Sequence, residues 1–161
     1  MAPNHSSRGF TLVETVVATG ILITALAGVA QLFLLGAQLT REANASGQAL
    51  VAAQDKLESL RGLALGYDAF GSNDTDPALA PSPPSSLSAD SPPYVDWVDS
   101  SGARLPDSSR AAFVRRWRID SLDETAPDAI TIEVCVFRSS SNSMDARAAE
   151  ACLSTVRTRQ P

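Results

Sequence analysis

The sequence predicts an α+β fold in which one long N-terminal helix packs on a small antiparallel β-sheet. Two observations support this prediction. A nearly uncharged apolar run near the N-terminus continues into a segment whose apolar residues recur at helical spacing, and short runs with strand-like alternation follow a stretch rich in Pro and Ser. A helix and a sheet that each present one apolar face are expected to bury those faces against each other.

The first half of the predicted helix covers residues 10–39, where Glu14 is the only charge. These 30 residues exceed the ~20 that a helix needs to span a bilayer. The run is also longer than the apolar core of a secretory signal, roughly 7–15 residues. Arg8 lies on its N-terminal side, so the positive-inside rule predicts a cytoplasmic N-terminus. We therefore expect a single-pass membrane helix with the rest of the chain outside the cytoplasm.

The second half of the helix is predicted over residues 40–65. Charged residues, including Arg41 and Lys56, are interspersed here with apolar ones at helical spacing. Gly62 and Gly66 are expected to mark the end of the helix, and residues 63–65 between them are expected to form a fraying turn. A helix over residues 10–61 would be ~78 Å long, and such a helix needs packing partners along it.

Residues 66–93 are rich in Pro, Ser and Asp and are predicted to form a long surface loop without regular structure. The acidic stretch at residues 73–76 lacks the glycine and glutamate spacing of a calcium loop, so we interpret it as turn-forming. The remaining residues, 94–161, are predicted to form the sheet. Its strand-like runs are residues 94–98, 111–120, 130–138 and 152–158.

Alternation along these runs predicts which residues share a face of the sheet. One face of the second run carries Phe113, Trp117 and Ile119, and the other carries Arg116 and Arg118. The third run places Ile130, Ile132, Val134 and Val136 on one face. We interpret Trp97 and Trp117 as core anchors against the helix and not as a binding site.

The charge of the chain disfavours nucleic acid as a partner. Its formal net charge is −5, and phosphate binding requires a basic surface. The short basic run Arg115, Arg116 and Arg118 is predicted to be the polar face of a strand. The chain also shows no glycine-rich phosphate loop and no clustered metal ligands, so no cofactor is expected.

The two cysteines, Cys135 and Cys152, lie in the last third of the chain. If residues 130–138 and 152–158 form a hairpin, the two sulfur atoms could lie opposite each other and form a disulfide. Export of this part to an oxidising compartment favours the bond. Two free buried thiols are the alternative.

Glu14 is the anomaly of the apolar run. A carboxylate inside a membrane helix costs ~2.5–3.5 kcal/mol on insertion scales, so it needs a partner or a role. From its position alone, the simpler interpretation is a residue near the membrane interface that reaches the headgroups.

The run Arg8-Gly9-Phe10-Thr11-Leu12-Val13-Glu14 resembles the class III signal of type IV prepilins. That signal has a short polar leader ending in Gly, an aromatic first mature residue and Glu at the fifth mature position. The resemblance implies that a prepilin peptidase removes residues 1–9 by cutting after Gly9. It also implies methylation of the new amine of Phe10 and a role for Glu14 in assembly.

The resemblance implies a structural subunit and not an enzyme. Residues 48–61 are also similar to the lower helix of minor pilins of the PilV type and of the type II secretion minor pseudopilin I. The implied partners are prepilin peptidase, other pilins or pseudopilins, an inner-membrane assembly platform and membrane lipid. The implied location is the bacterial inner membrane and then a filament. A type IV pilus, a type II secretion pseudopilus and a competence filament remain alternatives.

The rival class is a single-pass anchored binding or adhesin module, in which the helix serves only as an anchor. Glu14 discriminates between the two classes, because an anchor has no use for a carboxylate in its apolar run. Enzymatic function is disfavoured on separate grounds. The only histidine is His5, which would be lost with residues 1–9, and its loss removes Ser-His-Asp, Cys-His and His-metal chemistry.

Overall fold

The computed structural model describes residues 9–123, 126–139 and 149–159, and the chain divides into two compact units, Met1–Ala43 and Asn44–Pro161. The architecture is α+β, with one long N-terminal helix and a small antiparallel sheet, as predicted. Its elements are the helix α1 (Leu12–Arg61), the strands β1 (Leu65–Tyr67) and β2 (Asn73–Thr75), a 3-10 helix (Pro77–Leu79), and the strands β3 (Val95–Val98), β4 (Arg104–Leu105), β5 (Phe113–Asp123), β6 (Ala126–Arg138) and β7 (Ala151–Thr158).

The main sheet has the strand order β4-β3-β5-β6-β7, and each neighbouring pair is antiparallel. All four predicted strands are present, with bounds that differ from the prediction by a few residues. The C-terminal part of α1 packs on this sheet within the second unit. The buried core contains the helix residues Ala49, Ala52, Ala53, Leu57 and Leu60 and the strand residues Val98, Phe113, Trp117, Ile119, Ile130, Ile132, Val134 and Val136.

The helix ends where the sequence predicted, and a short turn follows it, in which the Leu63 N–H donates to the Leu60 carbonyl at 3.4 Å. Leu65, however, does not belong to that turn. The Gly62 N–H still donates to the Glu58 carbonyl at 3.0 Å, which closes the last turn. Leu65 is buried and pairs with Thr75 in the two-stranded sheet of β1 and β2. The predicted helical segment 40–65 therefore ends in a strand. Leu65 pairs with Thr75, ten positions later, and its side chain joins the buried core.

The prediction of an irregular surface loop over residues 66–93 is also wrong in part. The segment contains β2 and the 3-10 helix, and it buries Leu79 and Ser86. Ser82 extends the sheet beyond β3: its N–H donates to the Ile119 carbonyl at 2.9 Å, and its hydroxyl accepts from the Ile119 N–H at 2.9 Å. The Ser82 hydroxyl thus accepts the hydrogen bond that a strand carbonyl would otherwise accept. The prolines of this segment cannot donate to a strand ladder.

Trp117 is a core anchor as predicted, but Trp97 is not. Trp117 is buried and meets the Tyr94 ring edge to face, with the ring centroids 6.4 Å apart. Trp97 lies between Asp96 and Val98, whose side chains face the helix. Its own side chain therefore lies on the opposite face of the sheet and stays partly exposed. The parity of the strand, and not the size of the side chain, determines which tryptophan reaches the core.

Candidate functional site

The N-terminal end of α1 is fixed by a polar contact in its first turn. The hydroxyl oxygen of Thr11 accepts a hydrogen bond from the backbone N–H of Glu14 at 3.2 Å. Thr11 is thereby the N-cap, and Glu14 occupies the third helical position, which is the spacing of a capping box. Gly9 and Phe10 precede the helix and are exposed. The residues singled out from the sequence thus lie together at one helix end.

The side chain of Glu14 is exposed and has no ion-pair partner among the residues that the structure describes. A negative charge in the first turn interacts favourably with the helix dipole. The position of Glu14 therefore has a local explanation, helix capping, in addition to the assembly role implied by the resemblance. The two explanations differ in chemistry, because capping accepts Gln as well as Glu, whereas an ion pair requires the charge.

The helix in the first unit presents an unusual surface. Every residue from position 12 to 43 is exposed, and Phe10 and Phe33 expose 84% and 75% of their surface. Its exposed large apolar residues are Leu12, Val13, Val16, Val17, Ile21, Leu22, Ile23, Leu26, Val29, Leu32, Phe33, Leu34, Leu35 and Leu39. A contiguous apolar surface of this extent marks an interaction site with protein or lipid.

The apolar part of α1 is long enough and apolar enough to cross a membrane. By length and composition alone, core helices of water-soluble proteins and signal sequences meet the same criterion. None of this apolar stretch is buried. Burial inside the described chain therefore does not account for its apolar character.

Four threonine hydroxyls along this stretch are satisfied within the helix. Thr15, Thr19, Thr24 and Thr40 each donate their hydroxyl to the carbonyl four residues earlier, at 2.7 to 3.3 Å. Such bonding hides the hydroxyls from an apolar surrounding. These four hydroxyls therefore need no partner from the environment of the helix.

A buried polar cluster connects α1 to the sheet inside the second unit. Arg115, 4% exposed, donates from Nε and Nη2 to the two carboxylate oxygens of Asp96, at 2.7 and 3.1 Å. Its Nη1 reaches α1, where the Asp55 carboxylate (2.9 Å) and the Ala52 carbonyl (3.2 Å) accept. Lys56 Nζ lies 3.2 Å from Asp96 and 3.6 Å from the centroid of the Trp117 ring.

The prediction that Arg115 belongs to a polar strand face is wrong. Arg115 shares the parity of Phe113 and Trp117, so its side chain points toward the helix. The alternation along the strand already places Arg115 on the same face as Phe113 and Trp117, but its position among three closely spaced arginines favoured a polar face. Arg116 and Arg118 do lie on the other face as predicted, where they pair with Asp90 and Glu133.

Ionisation in this cluster follows from burial and pairing. Burial by itself raises the pKa of Asp96, but the hydrogen bonds from Arg115 and the charge of Lys56 outweigh it and hold that pKa below its usual value. Burial lowers the pKa of Lys56 despite its contact with Asp96. Burial also opposes the charge on Arg115, yet the carboxylates of Asp96 and Asp55 raise its pKa.

Cys135 and Cys152 are directly opposite in the β6–β7 pair and form a disulfide with an S–S distance of 2.05 Å. The Glu133 carboxylate lies near both sulfur atoms, at a separation typical of metal ligands. A disulfide sulfur is not the thiolate that binds metal, so this group holds no ion in its oxidised form.

Asp76, in the acidic stretch interpreted as turn-forming, accepts from the Ala78 N–H and caps the 3-10 helix.

Comparisons with family models, with curated proteins and with solved structures gave no significant match for this chain.

Proposed function

We propose that this chain is a structural minor subunit of a type IV pilus-like filament or of a type II secretion pseudopilus, and not an enzyme. The observation that carries the proposal is the arrangement of Gly9, Phe10 and Glu14 immediately before and within the first turn of an exposed apolar helix. The helix inserts into the inner membrane with the second unit outside the cytoplasm. Assembly then transfers it from lipid into the filament core, through the inner-membrane platform and contacts with other pilins or pseudopilins.

Processing by prepilin peptidase fits the local structure around the cut. Gly9 and Phe10 lie outside the helix and are exposed, so the peptide bond between them is accessible to a peptidase. An added side chain at Gly9 would meet nothing within 4 Å in the chain itself. A requirement for glycine here would therefore come from the peptidase and not from the fold.

Glu14 acquires its role once the leader is removed. The new amine of Phe10 is a positive charge at the positive end of the helix dipole, in or near an apolar layer. Glu14 is about one turn away in the same chain, and in a staggered filament it can reach the amine of a neighbouring subunit. An interchain pair favours one axial register, because a displaced subunit leaves both charges unpaired in an apolar surrounding.

The substitution Glu14→Gln tests this role, because Gln keeps the capping position and removes the charge. Loss of one partner of a buried pair costs ~3–5 kcal/mol, which lowers incorporation by at least about two orders of magnitude. Immunoblots of membrane and sheared-filament fractions measure this. We expect normal membrane insertion and cleavage of the variant, with little of it in filaments.

Two matched variants separate charge from capping. Glu14→Asp retains the charge and should retain partial incorporation, whereas Glu14→Ala removes both features and should fall at or below the level of Glu14→Gln. Normal incorporation of Glu14→Gln would assign Glu14 to helix capping alone. That result would favour the alternative function, a single-pass anchored binding or adhesin module.

Intact-mass analysis of the protein from its native host tests processing independently. The mature chain should lack residues 1–9 and carry one additional methyl group on Phe10. The variant Gly9→Val should remain uncut, because a β-branched side chain occupies a position suited to glycine. Filaments that contain the chain with residues 1–9 attached would contradict the proposal.

A further inference from the structure

The two cysteines of the disulfide differ in exposure. Cys135 lies on β6 and exposes only 4% of its surface, whereas Cys152 lies on β7 and is exposed. The strand order explains the difference, because β6 lies between β5 and β7, and β7 is the last strand of the main sheet in the described part of the chain. One end of the disulfide therefore faces protein, and the other faces the edge of the sheet.

The side of Cys135 that faces away from Cys152 is occupied. Arg116 is the residue of β5 directly opposite Cys135, and Phe137 follows two positions later on the same face of β6. The Arg116 guanidinium lies over the Phe137 ring, 4.8 Å from its centroid, and its Nε donates to the Asp90 carboxylate at 2.9 Å. A reagent that approaches Cys135 from the β5 side therefore has to displace side chains that are held in place.

The side of Cys152 that faces away from Cys135 is open. The next residue on the same face of β7 is Ser154, which is small and exposed, and no strand that the structure describes pairs with the outer side of β7. A thiolate attacks a disulfide sulfur from the side opposite the sulfur that leaves. Because this bond joins two neighbouring strands, the approach to Cys152 passes over the sheet edge, whereas the approach to Cys135 passes over β5.

Other contacts keep β6 and β7 together when the bond opens. Cys135 and Cys152 are directly opposite, with their Cα atoms 4.1 Å apart. Just beyond them, Arg138 pairs with the Glu150 carboxylate at 3.0 Å. Near the other end of β7, the Arg157 guanidinium donates to two carbonyls at the end of α1, at 3.1 and 3.0 Å. The two sulfur atoms therefore stay opposite each other, and the bond can close again.

We propose that Cys152 is a modification site at which a low-molecular-weight thiol opens the disulfide of the folded chain. The incoming thiolate forms a new S–S bond with Cys152 Sγ, the bond to Cys135 breaks, and its electron pair leaves with the Cys135 sulfur, which takes a proton from water. The positive charge of the neighbouring Arg116 stabilises the departing thiolate. Attack of Cys135 on the mixed disulfide reverses the reaction and releases the thiol.

Reduced glutathione, added to the full wild-type chain in detergent, tests the site of attack. Acid stops the exchange, N-ethylmaleimide blocks free thiols, and trypsin then places the cysteines in separate peptides, residues 119–138 and 148–157. We expect glutathione on Cys152 and maleimide on Cys135 roughly tenfold more often than the reverse. The same reaction in denaturant is the control, and there the preference should disappear.

Two results of this experiment would overturn the proposal. One is a mixed disulfide that forms on Cys135 as often as on Cys152 in the folded chain. The other is a chain that forms no mixed disulfide until denaturant unfolds it, because the bond would then be closed to thiols from both sides. Neither result bears on the removal of residues 1–9 or on assembly, since this inference goes beyond the proposed function and does not rest on it.

Single-cysteine variants measure the same difference in access by another route. Cys135→Ser leaves only the exposed thiol of Cys152, and Cys152→Ser leaves only the buried thiol of Cys135. We expect glutathione disulfide to modify the first variant at least about tenfold faster than the second when both are folded, and at equal rates in denaturant. Equal rates in the folded state would contradict the proposal. If either variant lacks a cooperative unfolding transition, the wild-type experiment decides.

Discussion

One helix belongs to both units of this chain, yet its apolar residues are exposed in the first unit and partly buried in the second. Residues 12–43 contain no buried side chain, although Leu, Ile, Val and Phe dominate them. Within the second unit, the same helix buries Ala49, Ala53 and Leu60 against the sheet. The second part thus finds its packing partner in its own chain, whereas no described residue of the chain covers the first part.

The side chains of these two parts of the helix also differ in size. The helix meets the sheet mostly through alanines, and these small residues let the guanidinium of Arg115 reach the Ala52 carbonyl. The first unit instead carries large side chains all around the helix, which is typical of a helix surrounded by apolar material. Uniform apolar character therefore indicates a partner on every side, and a one-sided pattern indicates a single sheet.

Removal of residues 1–43 should have the largest effect. We expect the remaining chain to move fully from the membrane fraction to the water-soluble fraction and to keep a cooperative unfolding transition, because every buried helix residue belongs to the second unit. Ultracentrifugation of cell extracts and circular dichroism would measure the two properties. A shortened chain that fails to unfold cooperatively would show that the two units depend on each other.

The substitution Asp96→Asn should have the next largest effect. It leaves Arg115 and Lys56 buried without their common carboxylate, and breaking a buried ion pair in this way costs ~3–5 kcal/mol of unfolding free energy. The matched control is Asp90→Asn, which breaks the more exposed pair with Arg116 and should cost less than about 1 kcal/mol. Denaturant unfolding of both variants provides the comparison, and equal losses would contradict it.

Loss of the disulfide between Cys135 and Cys152 should lower the unfolding free energy by about 3 kcal/mol in the chain-entropy model. Unfolding with and without a reductant measures this in the wild type. The double variant Cys135→Ala/Cys152→Ala should not respond to the reductant. Thiol labelling of the unfolded, unreduced protein should modify neither cysteine, and labelling of both would refute the bond.

Acid should produce the smallest of these effects. The pKa of Asp96 is lowered in the folded state, so its stabilising contribution is complete above the ordinary aspartate pKa of about 3.9 and is lost as the pH falls below it. We expect the difference in unfolding free energy between wild type and Asp96→Asn to shrink between neutral pH and pH values below about 3.9. Urea titrations at both pH values would show this, and a constant difference would exclude Asp96 as the group responsible.

Much of the fold follows from local patterns. The end of the helix, the four main strands and the shared face of Ile132, Val134 and Val136 all follow from periodicity, which depends only on neighbours in sequence. The pairing of Cys135 with Cys152 followed from the prediction of a hairpin, and the register of β6 and β7 confirms it. The cleavage and assembly roles of Gly9, Phe10 and Glu14 remain predictions.

The sequence by itself determined the apolar helix and the strands, because each depends on residues a few positions apart. Only the tertiary structure showed which carboxylates pair with the buried Arg115 and that Ser82 continues the sheet. These outcomes depend on partners 19 to 60 positions away, such as Asp96 and Asp55 for Arg115. A buried positive charge is tolerated where the fold places carboxylates beside it, and no local sequence pattern predicts that placement.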